Sequence, residues 1–485
     1  METITIKIKD IEMNFEEQVL KIPELSVYEN EKIGIIGANG SGKSTLLRLI
    51  AGELQASKGT IDTFCDFPLY HQISGVEETV SELDGELLSR FKVPNNSAET
   101  LSGGETTKYR LTQLLSVYQT GMLLDEPTTH LDQKGKQQLI DELQYYYGTL
   151  LFVSHDRTFL NALAEKIWEV KDGKVVEYKG NYNDYLEQKK IESVSQEREV
   201  QNYQKEVTRL TKGIEEKRQK AEKAGKVSEK NKQKNVRPSR LSSSKQKDTV
   251  QKNLYKQAKA MSSRLEQLAD IQIVEKDISI QFPKHSSAEI HNPYPIRIEN
   301  LTVNYEQRMI LDKINLQIPL GKKIALVGEN GAGKSTLLNA ILKQFEGVIL
   351  SPKAKIETYR QMDYQFTTVH SLLTELMDET DWSEATVRAL LNNLGFSQSA
   401  IRKPLNVLSG GEATRIAIAR LFTKPSNVLI LDEPTNFIDL TTIEALEKFL
   451  LAYQGTVLFT SHDQTFVEKV ADEVWLLENG KLSLI

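Results

Sequence analysis

An internal repeat spans most of this 485-residue chain and constrains its fold more than any other feature. Four motifs recur in the same order: GIIGANGSGKST as ALVGENGAGKST, LSGGE unchanged, LLDEPTTHLD as ILDEPTNFID, and LFVSHD as LFTSHD. The copies are offset by 291 residues at the first motif and by 307 at the others, so the second copy holds 16 additional residues between its first two motifs. The repeat predicts two domains of one fold, at about residues 1–186 and 293–485, joined by residues 187–292.

Charge separates the joining segment from the two repeats. Residues 187–270 contain 22 Lys and Arg against 12 Asp and Glu, whereas the whole chain contains 61 against 67. A basic segment therefore lies between two acidic domains. The single cysteine, Cys65, excludes an internal disulfide and any zinc or iron–sulfur site built from cysteines. Because no apolar run approaches the roughly 18–20 residues that cross a bilayer, we expect a cytoplasmic protein with no membrane partner.

Each half begins with a phosphate-binding loop of the pattern G-x-x-x-x-G-K-[ST], which follows an apolar strand and opens a helix. Backbone N–H groups of such a loop converge on phosphate oxygens. Because the loop occurs twice at matched positions, a glycine-rich turn that arose by chance does not explain it. We expect Lys43 and Lys334 to reach the β- and γ-phosphates of ATP, and Ser44 and Ser335 to bind Mg²⁺. The residues assigned to nucleotide binding here are Gly37, Asn39, Gly40, Gly42, Lys43, Ser44 and Thr45, and Gly328, Asn330, Gly331, Gly333, Lys334, Ser335 and Thr336.

In MLLDEP and LILDEP, an apolar strand ends in two adjacent carboxylates. Asp125 and Asp432 are predicted to hold Mg²⁺ through water. Glu126 and Glu433 are predicted to polarise the water that attacks the γ-phosphate.

His155 and His462 follow the apolar strands TLLFVS and TVLFTS, where a polar side chain can point at a γ-phosphate. A lone histidine is more often structural, but the duplicated S-H-D context favours a catalytic role for both.

Four further residues stand at matched or nearly matched positions with weaker support. Gln72 and Gln361 could supply a side-chain oxygen to Mg²⁺, or could be ordinary residues at strand ends. Phe15 and Tyr305 precede the loop lysines by 28 and 29 residues, where a ring could stack on adenine; a plain strand aromatic explains them nearly as well.

Together these motifs resemble the ATP-binding cassette superfamily, whose Walker A, Q-loop, signature, Walker B, D-loop and H-loop sequences all occur twice here. The resemblance implies that the cassettes of one monomer pair head to tail, with each ATP between one phosphate loop and the signature of the other cassette. Two departures, Phe437 in place of His and Lys108 in place of Arg, leave ATP hydrolysis plausible at both sites. The signature residues assigned to ATP binding are Ser102, Gly103, Gly104 and Glu105, and Ser409, Gly410, Gly411 and Glu412.

The joining segment carries two apolar seams with alternating spacings of three and four residues, typical of coiled-coil helices. The seam residues are Val200, Tyr203, Val207, Leu210 and Ile214, and then Leu254, Ala258, Met261, Leu265 and Leu268. We expect an antiparallel helical hairpin whose first helix covers about Glu187–Ala224 and ends at Gly225, with its apex at about residues 225–247. A solvated, disordered linker is the alternative. The excess of positive charge favours RNA as the partner, because basic side chains can bind the RNA backbone without contacting specific bases. The residues assigned to RNA binding are Lys230, Lys232, Lys234, Arg237, Arg240, Leu241, Lys245 and Lys247.

Tandem cassettes with a charged linker and no membrane domain resemble the ABC-F class, whose members act on ribosomes. The fold implied is α/β, with two P-loop cassettes joined by a long helical hairpin. Only 29 residues separate Gln72 from Ser102, which leaves no room for the extra arm of many housekeeping members, and the chain stops at Ile485, soon after its second H-loop.

These features resemble the antibiotic-resistance members of macrolide/streptogramin B type. That resemblance implies binding to the exit-site region of the 70S ribosome, near 23S rRNA and peptidyl-tRNA. It further implies that ATP closes the cassettes, that the linker displaces a ribosome-bound antibiotic, and that hydrolysis releases the protein.

Three other functions remain open. A housekeeping ABC-F factor would act on stalled ribosomes without any drug. The motor pair of a transporter would need a membrane partner and leaves the basic linker unexplained. A DNA-repair ATPase of the cassette type would carry zinc modules or much longer coiled coils.

Overall fold

The computed structural model describes residues 3–15, 18–71, 83–91, 93, 103–230, 243–268, 290–305, 308–359, 370–396, 398, 400–405, 410–436 and 438–485. The chain divides into two compact units, Met1–Tyr185 together with Ile278–Ile485, and Leu186–Asp277. The first unit contains both halves of the sequence repeat, hereafter the first and second cassettes. Among the described residues, no helix combines the length and apolar character needed to cross a bilayer.

The first cassette combines a small antiparallel sheet with a larger, mainly parallel one. Its elements are β1 (Ile4–Phe15), β2 (Gln18–Tyr28), β3 (Lys32–Gly37), α1 (Lys43–Ile50), β4 (Lys58–Thr63), β5 (Leu69–Tyr70), α2 (Gly85–Arg90), α3 (Gly103–Leu115), β6 (Gly121–Asp125), α4 (Gln133–Gln144), β7 (Thr149–Val153), α5 (Arg157–Leu163), β8 (Lys166–Lys171) and β9 (Lys174–Lys179). The antiparallel sheet has the order β2-β1-β4 and the larger sheet the order β5-β6-β7-β3-β8-β9.

Two helices, α6 (Tyr182–Lys230) and α7 (Ser243–Leu268), follow in the chain. Within the second unit the two helices pack antiparallel, because a residue further along α6 contacts a residue that comes earlier on α7. Lys217 Nζ donates to Gln257 Oε1 at 2.6 Å, and Arg264 Nη2 lies 3.6 Å from Glu206 Oε1. The buried side chains between the helices come from the predicted seams and from one alanine nearby: Leu210, Ile214, Ala221 and Ala258.

Gly225 does not end the first linker helix, so that prediction is wrong. Helix α6 continues to Lys230 and has 49 residues, about 74 Å at 1.5 Å per residue. Glycine costs a helix roughly 1 kcal/mol relative to alanine but does not remove a hydrogen-bond donor, and good helix formers such as Lys226 and Lys230 follow it.

The second cassette repeats the topology of the first. Its elements are β10 (Ile296–Tyr305), β11 (Arg308–Ile318), β12 (Lys323–Val327), α8 (Lys334–Leu342), β13 (Val348–Leu350), β14 (Ile356–Tyr359), α9 (Leu372–Asp378), α10 (Glu384–Asn393), a 3-10 turn (Ala400–Arg402), α11 (Gly410–Thr423), β15 (Val428–Leu431), α12 (Leu440–Ala452), β16 (Thr456–Thr460), α13 (Gln464–Val470), β17 (Glu473–Glu478) and β18 (Lys481–Leu484). Its larger sheet has the order β14-β15-β16-β12-β17-β18, which matches the first cassette strand for strand and confirms the predicted α/β fold.

The central strands are buried on both faces, which explains their uninterrupted apolar sequences. Every residue of β6, β7, β15 and β16 is buried. Parallel strands of this kind place the segments that follow them at one edge of the sheet. The phosphate loops, carboxylate pairs and histidines all follow such strands, and they therefore gather at that edge in each cassette.

Apolar packing continues from one cassette to the other. One buried cluster includes Phe159 and Tyr182 of the first cassette and Leu440, Ile443 and Phe449 of the second. The cassettes thus meet through a packed interface, and residues from both can contribute to one site.

Candidate functional site

Each phosphate loop curls around its own lysine. Lys43 Nζ donates to the Gly37 carbonyl at 2.9 Å, and Lys334 Nζ donates to the Gly328 carbonyl at 2.8 Å. A Cβ added to Gly37 would collide with the carbonyl oxygen of Val170, so only glycine allows the loop to approach the sheet this closely. The ammonium groups are thereby held under the loop, where phosphate oxygens of a nucleotide would bind.

The loops leave room for a ligand and present the donors and acceptors that a nucleotide with a hard cation requires. A Cβ on Gly40 or Gly331 would meet no described atom within 4 Å. Ser44 is hydrogen-bonded to Asp125, whose pKa is raised by burial against the opposing effect of that bond. A hydroxyl and a carboxylate side by side suit Mg²⁺, which keeps water and phosphate oxygens as its remaining ligands. Among the described residues, no cluster of three or more His, Cys, Asp or Glu forms an all-protein metal site.

Glu126 directly follows β6, and Glu433 lies two residues beyond the end of the buried strand β15. Both are in the left-handed backbone region, with φ of 50° and 47°. No described residue hydrogen-bonds to the Oε1 atom of either carboxylate, although both atoms are buried. His155 Nε2 lies 3.3 Å from Glu126 Oε1, and His462 Nε2 lies 3.3 Å from Glu433 Oε1. Strained backbone and unpartnered buried oxygens are features that folding alone does not explain, and they fit a carboxylate that acts on a bound water.

Burial disfavours the charged form of both glutamates. It raises the pKa of Glu126 to about 8, although Lys43 opposes the shift, and it raises the pKa of Glu433 to about 7. Lys136, on α4 of the first cassette, is among the cations that lower the pKa of Glu433 in the second. The residue matched to Lys136 by the 307-residue offset is the uncharged Ile443, so the two sites differ electrostatically.

Both histidines are neutral at physiological pH. Burial lowers the pKa of His155 and of His462 to about 3, and the neighbouring loop lysines add to the effect. Lys334 Nζ lies 3.3 Å from His462 Nε2. A neutral imidazole can both donate and accept a hydrogen bond, which suits a contact between a γ-phosphate and the attacking water.

Each site is completed by residues of the opposite cassette. The backbone N–H of Asn39, in the first phosphate loop, donates to Asp439 Oδ2 of the second cassette at 2.9 Å. Asp439 also caps α12 by accepting from the Thr442 amide at 2.8 Å, and these hydrogen bonds outweigh burial and lower its pKa to about 2. At the other site, Asn330 Nδ2 donates to the His130 carbonyl of the first cassette at 3.1 Å.

The first signature helix begins beside the second phosphate loop. A Cβ built on Gly104, at the start of α3, would lie 3.5 Å from Asn330 Nδ2. This is the head-to-tail arrangement that the resemblance implied, seen here at the second site. Glu105 and Glu412 lie in the first turns of α3 and α11.

For several of the predicted residues, the described part of the chain does not test the predicted role. Tyr305 ends β10 with its side chain 73% exposed, and stacking on adenine stays a prediction. Nothing is described for the side chains of Phe15, Lys230, Lys245 and Lys247. The predicted residues that lie outside the described ranges are Gln72, Ser102, Gln361, Ser409, Lys232, Lys234, Arg237, Arg240 and Leu241.

Sequence reasoning missed two residues that the structure brings to the sites, Asp439 and Lys136. The signal for Asp439 was present, because an aspartate seven residues beyond Asp125 recurs seven residues beyond Asp432. Lys136 left no such signal, since its matched position holds a different residue type.

Comparison with known proteins places this geometry in a family context. A family model described as "ABC transporter" matches residues 20–66 and 311–436, and another with that description matches residues 168–236. The erythromycin resistance ATP-binding protein MsrA of Staphylococcus epidermidis is 44% identical over 480 residues, which is 98% of each chain. The ribosome protection protein VmlR of Bacillus subtilis (strain 168) is 34% identical over 475 residues, 96% of this chain and 85% of VmlR.

A solved structure of an RNase-L inhibitor shares the fold. It superposes with a TM-score of 0.64 at 18% identity, covering 98% of this chain and 90% of the other. A likeness at that identity supports the fold alone.

Proposed function

The chain belongs to the ABC-F class of the ATP-binding cassette family, and on that premise we propose that it is an ATPase that binds the ribosome and protects it from antibiotics. The observation that carries the proposal is its likeness, over nearly the whole length of both chains, to the erythromycin resistance protein MsrA. The likeness to the ribosome protection protein VmlR supports the same function.

ATP binds at two composite sites in this proposal. Lys43 and Lys334 contact the phosphates, and Mg²⁺, held by the loop serines with Asp125 or Asp432 behind them, neutralises phosphate charge when bound. Glu126 and its counterpart in the second cassette orient the attacking water. The backbone strain and unpartnered carboxylate oxygens described above support this role.

Cassette closure follows from the contacts between the cassettes. Asn39 reaches Asp439, and Asn330 reaches His130, only when each phosphate loop lies against the opposite cassette. Bound ATP bridges the same surfaces, so it favours closure by its differential affinity for the closed state. Hydrolysis removes that bridge and lets the cassettes separate.

The basic linker, residues 187–292, is the part that acts on the ribosome in this proposal. Its positive charge suits binding to the phosphates of 23S rRNA near the exit site and peptidyl-tRNA of the 70S ribosome. The linker displaces the bound antibiotic while the cassettes of the monomer are closed. The compartment is then the cytoplasm, where ribosomes translate.

Ribosome co-sedimentation with ATP tests the ribosome-binding step. We expect Glu126→Gln/Glu433→Gln to remain on 70S ribosomes while the unmutated protein is released, and we expect replacement of the apex lysines and arginines to abolish this retention. A double variant that closes on ATP but stays in the supernatant would contradict ribosome binding.

Drug susceptibility tests the protective step separately. Expression in a susceptible host should raise the minimal inhibitory concentration of a macrolide or a streptogramin B, and Lys43→Ala/Lys334→Ala should abolish the increase. Ribosome retention without any change in susceptibility would point instead to a housekeeping ABC-F factor.

A further inference from the structure

The cassettes meet along two edges that the sequence repeat makes comparable residue by residue. At the first edge, Arg157, the first residue of α5 in the first cassette, forms an ion pair with Glu447 of α12 in the second. Both side chains are almost fully buried, at 3% and 7% exposure. Lys469 Nζ lies 3.2 Å from Glu447 Oε2, and the Tyr182 hydroxyl donates to Glu444 at 3.4 Å.

At the second edge, the start of α4 in the first cassette lies against the phosphate loop and α13 of the second. Lys134 and Glu329 form an ion pair whose side chains are 66% and 52% exposed. Gln133 Nε2 donates to Gln464 Oε1 at 3.3 Å, also in an exposed position. Water competes for both partners in such contacts, so they contribute little to holding the edge closed.

The difference between the edges is fixed by the sequence. The 307-residue offset matches Arg157 with Gln464 and Glu447 with Ile140. The second edge therefore has uncharged residues at both positions and cannot form the equivalent of the buried pair.

A buried ion pair selects geometry more than it adds stability. No described residue accepts a hydrogen bond from Nε or Nη2 of Arg157, so the burial of this guanidinium is only partly compensated. A shift of α12 along its own axis would separate the pair and leave a buried charge without a partner. The pair therefore permits one register of α12 on the first cassette.

That register bears directly on the first ATP site. Helix α12 is capped by Asp439, which accepts the Asn39 amide of the first phosphate loop. Glu447 lies eight residues further along the same helix, about 12 Å at 1.5 Å per residue. A rigid helix of this length transmits a change of register at Glu447 to Asp439.

We propose that Arg157 is a positioning residue for the first ATP site, where its ion pair with Glu447 holds Asp439 on the phosphate loop. The inference rests on the ATP-binding part of the proposed function and deepens it, because it makes the sites unequal. The first site retains nucleotide, and the second, whose edge has no equivalent of the buried pair, releases it faster.

Nucleotide release from one site at a time tests the proposal on the isolated full-length protein. Glu126→Gln/Lys334→Ala reports Mg²⁺–ATP release from the first site, and Glu433→Gln/Lys43→Ala reports it from the second. Before any further change, release should be slower in the first background. We expect Arg157→Gln to accelerate release about tenfold in the first background and less than about twofold in the second.

Two further variants separate positioning from a general loss of structure. Gln464→Ala, at the matched position, should change release less than about twofold in either background. Glu447→Gln should accelerate nucleotide release about as much as Arg157→Gln does. The double variant should accelerate release by less than the two single effects combined, because neither charge is then left without its partner. Thermal unfolding of each variant monitors the fold.

Equal acceleration in both backgrounds, or additive effects of the two single changes, would overturn the proposal while leaving the proposed function intact. If neither background retained nucleotide at all, the ATP-binding part of the proposed function would fail, and this inference would fail with it.

Discussion

Glu126 and Glu433 show most clearly how the fold changes the properties of single side chains. Each carboxyl is buried, belongs to a residue with a left-handed backbone, and has a pKa raised to about 8 in Glu126 and to about 7 in Glu433. Loop lysines restrain the shift but do not cancel it. A glutamate with its pKa near neutrality can hold a water and take up a proton transiently, which an exposed glutamate does poorly.

The raised pKa values predict how stability depends on pH in the nucleotide-free protein. The folded state keeps protons that unfolded glutamates release above about pH 4.5, so this contribution to stability is present at low pH and is lost as the pH rises to 8. Glu126→Gln/Glu433→Gln avoids that loss. We expect its stability advantage over the unmutated protein to grow by about 1–3 kcal/mol between pH 5 and pH 8.

Denaturant unfolding at both pH values measures this difference. Glu24→Gln/Glu346→Gln removes two exposed carboxylates and controls for the change in net charge. An advantage that stays constant between pH 5 and pH 8 would show that the buried glutamates do not keep their protons.

At the scale of elements, the repeat predicted the fold because each motif has a strand or helix attached to it. Both phosphate loops stand between an apolar strand and a helix, and the structure places them there with one strand order in both cassettes. Arg157 and Glu447 could not be found in this way. They lie 290 residues apart, and neither recurs in the other copy, so local pattern and repetition both fail to link them.

The extent of α6 was missed for a different reason. In the sequence, Gly225 predicts the end of the helix because glycine often follows a helix in a left-handed conformation. The same residue is tolerated inside a helix at a small cost when its neighbours favour helix. Sequence does not distinguish the two situations, whereas the structure keeps Gly225 within α6.

Substitution of Gly225 tests its place inside the helix. Gly225→Ala should stabilise the end of α6 by about 0.5–1 kcal/mol, because alanine loses less backbone entropy on folding. Ala224→Gly, one residue earlier, should have the opposite effect of similar size. Hydrogen exchange of amides 221–230 in the whole protein reports both changes; destabilisation by Gly225→Ala would mean that this glycine is a left-handed terminus.

At the scale of the whole molecule, one chain combines acidic cassettes with a basic linker. The net charge of −6 hides this division, and the positive part lies in the unit formed by Leu186–Asp277. Under the proposed function, an acidic surface would discourage indiscriminate binding of RNA by the cassettes and would concentrate affinity for the ribosome in the linker.

The salt dependence of ribosome binding tests whether the linker, and not the cassettes, binds the RNA. Replacing Lys232, Lys234, Arg237 and Arg240 with Gln should reduce the slope of log affinity against log salt by about 3, if each cation displaces a counterion from RNA. A matched control replaces four exposed lysines of the cassettes, and it should leave the slope nearly unchanged. The four control residues are Lys9, Lys174, Lys343 and Lys481. If both sets of substitutions reduced the slope equally, the RNA contact would not be confined to the linker.

The unmatched pair at the first edge also bears on how such a chain can change. In a dimer of identical subunits, twofold symmetry repeats every substitution at both active sites. Here Arg157 faces Glu447 while Gln464 and Ile140 hold the equivalent positions, so fusion of the two copies has already allowed the halves to diverge. Selection can then adjust the lifetime of one bound nucleotide without altering the turnover of the other.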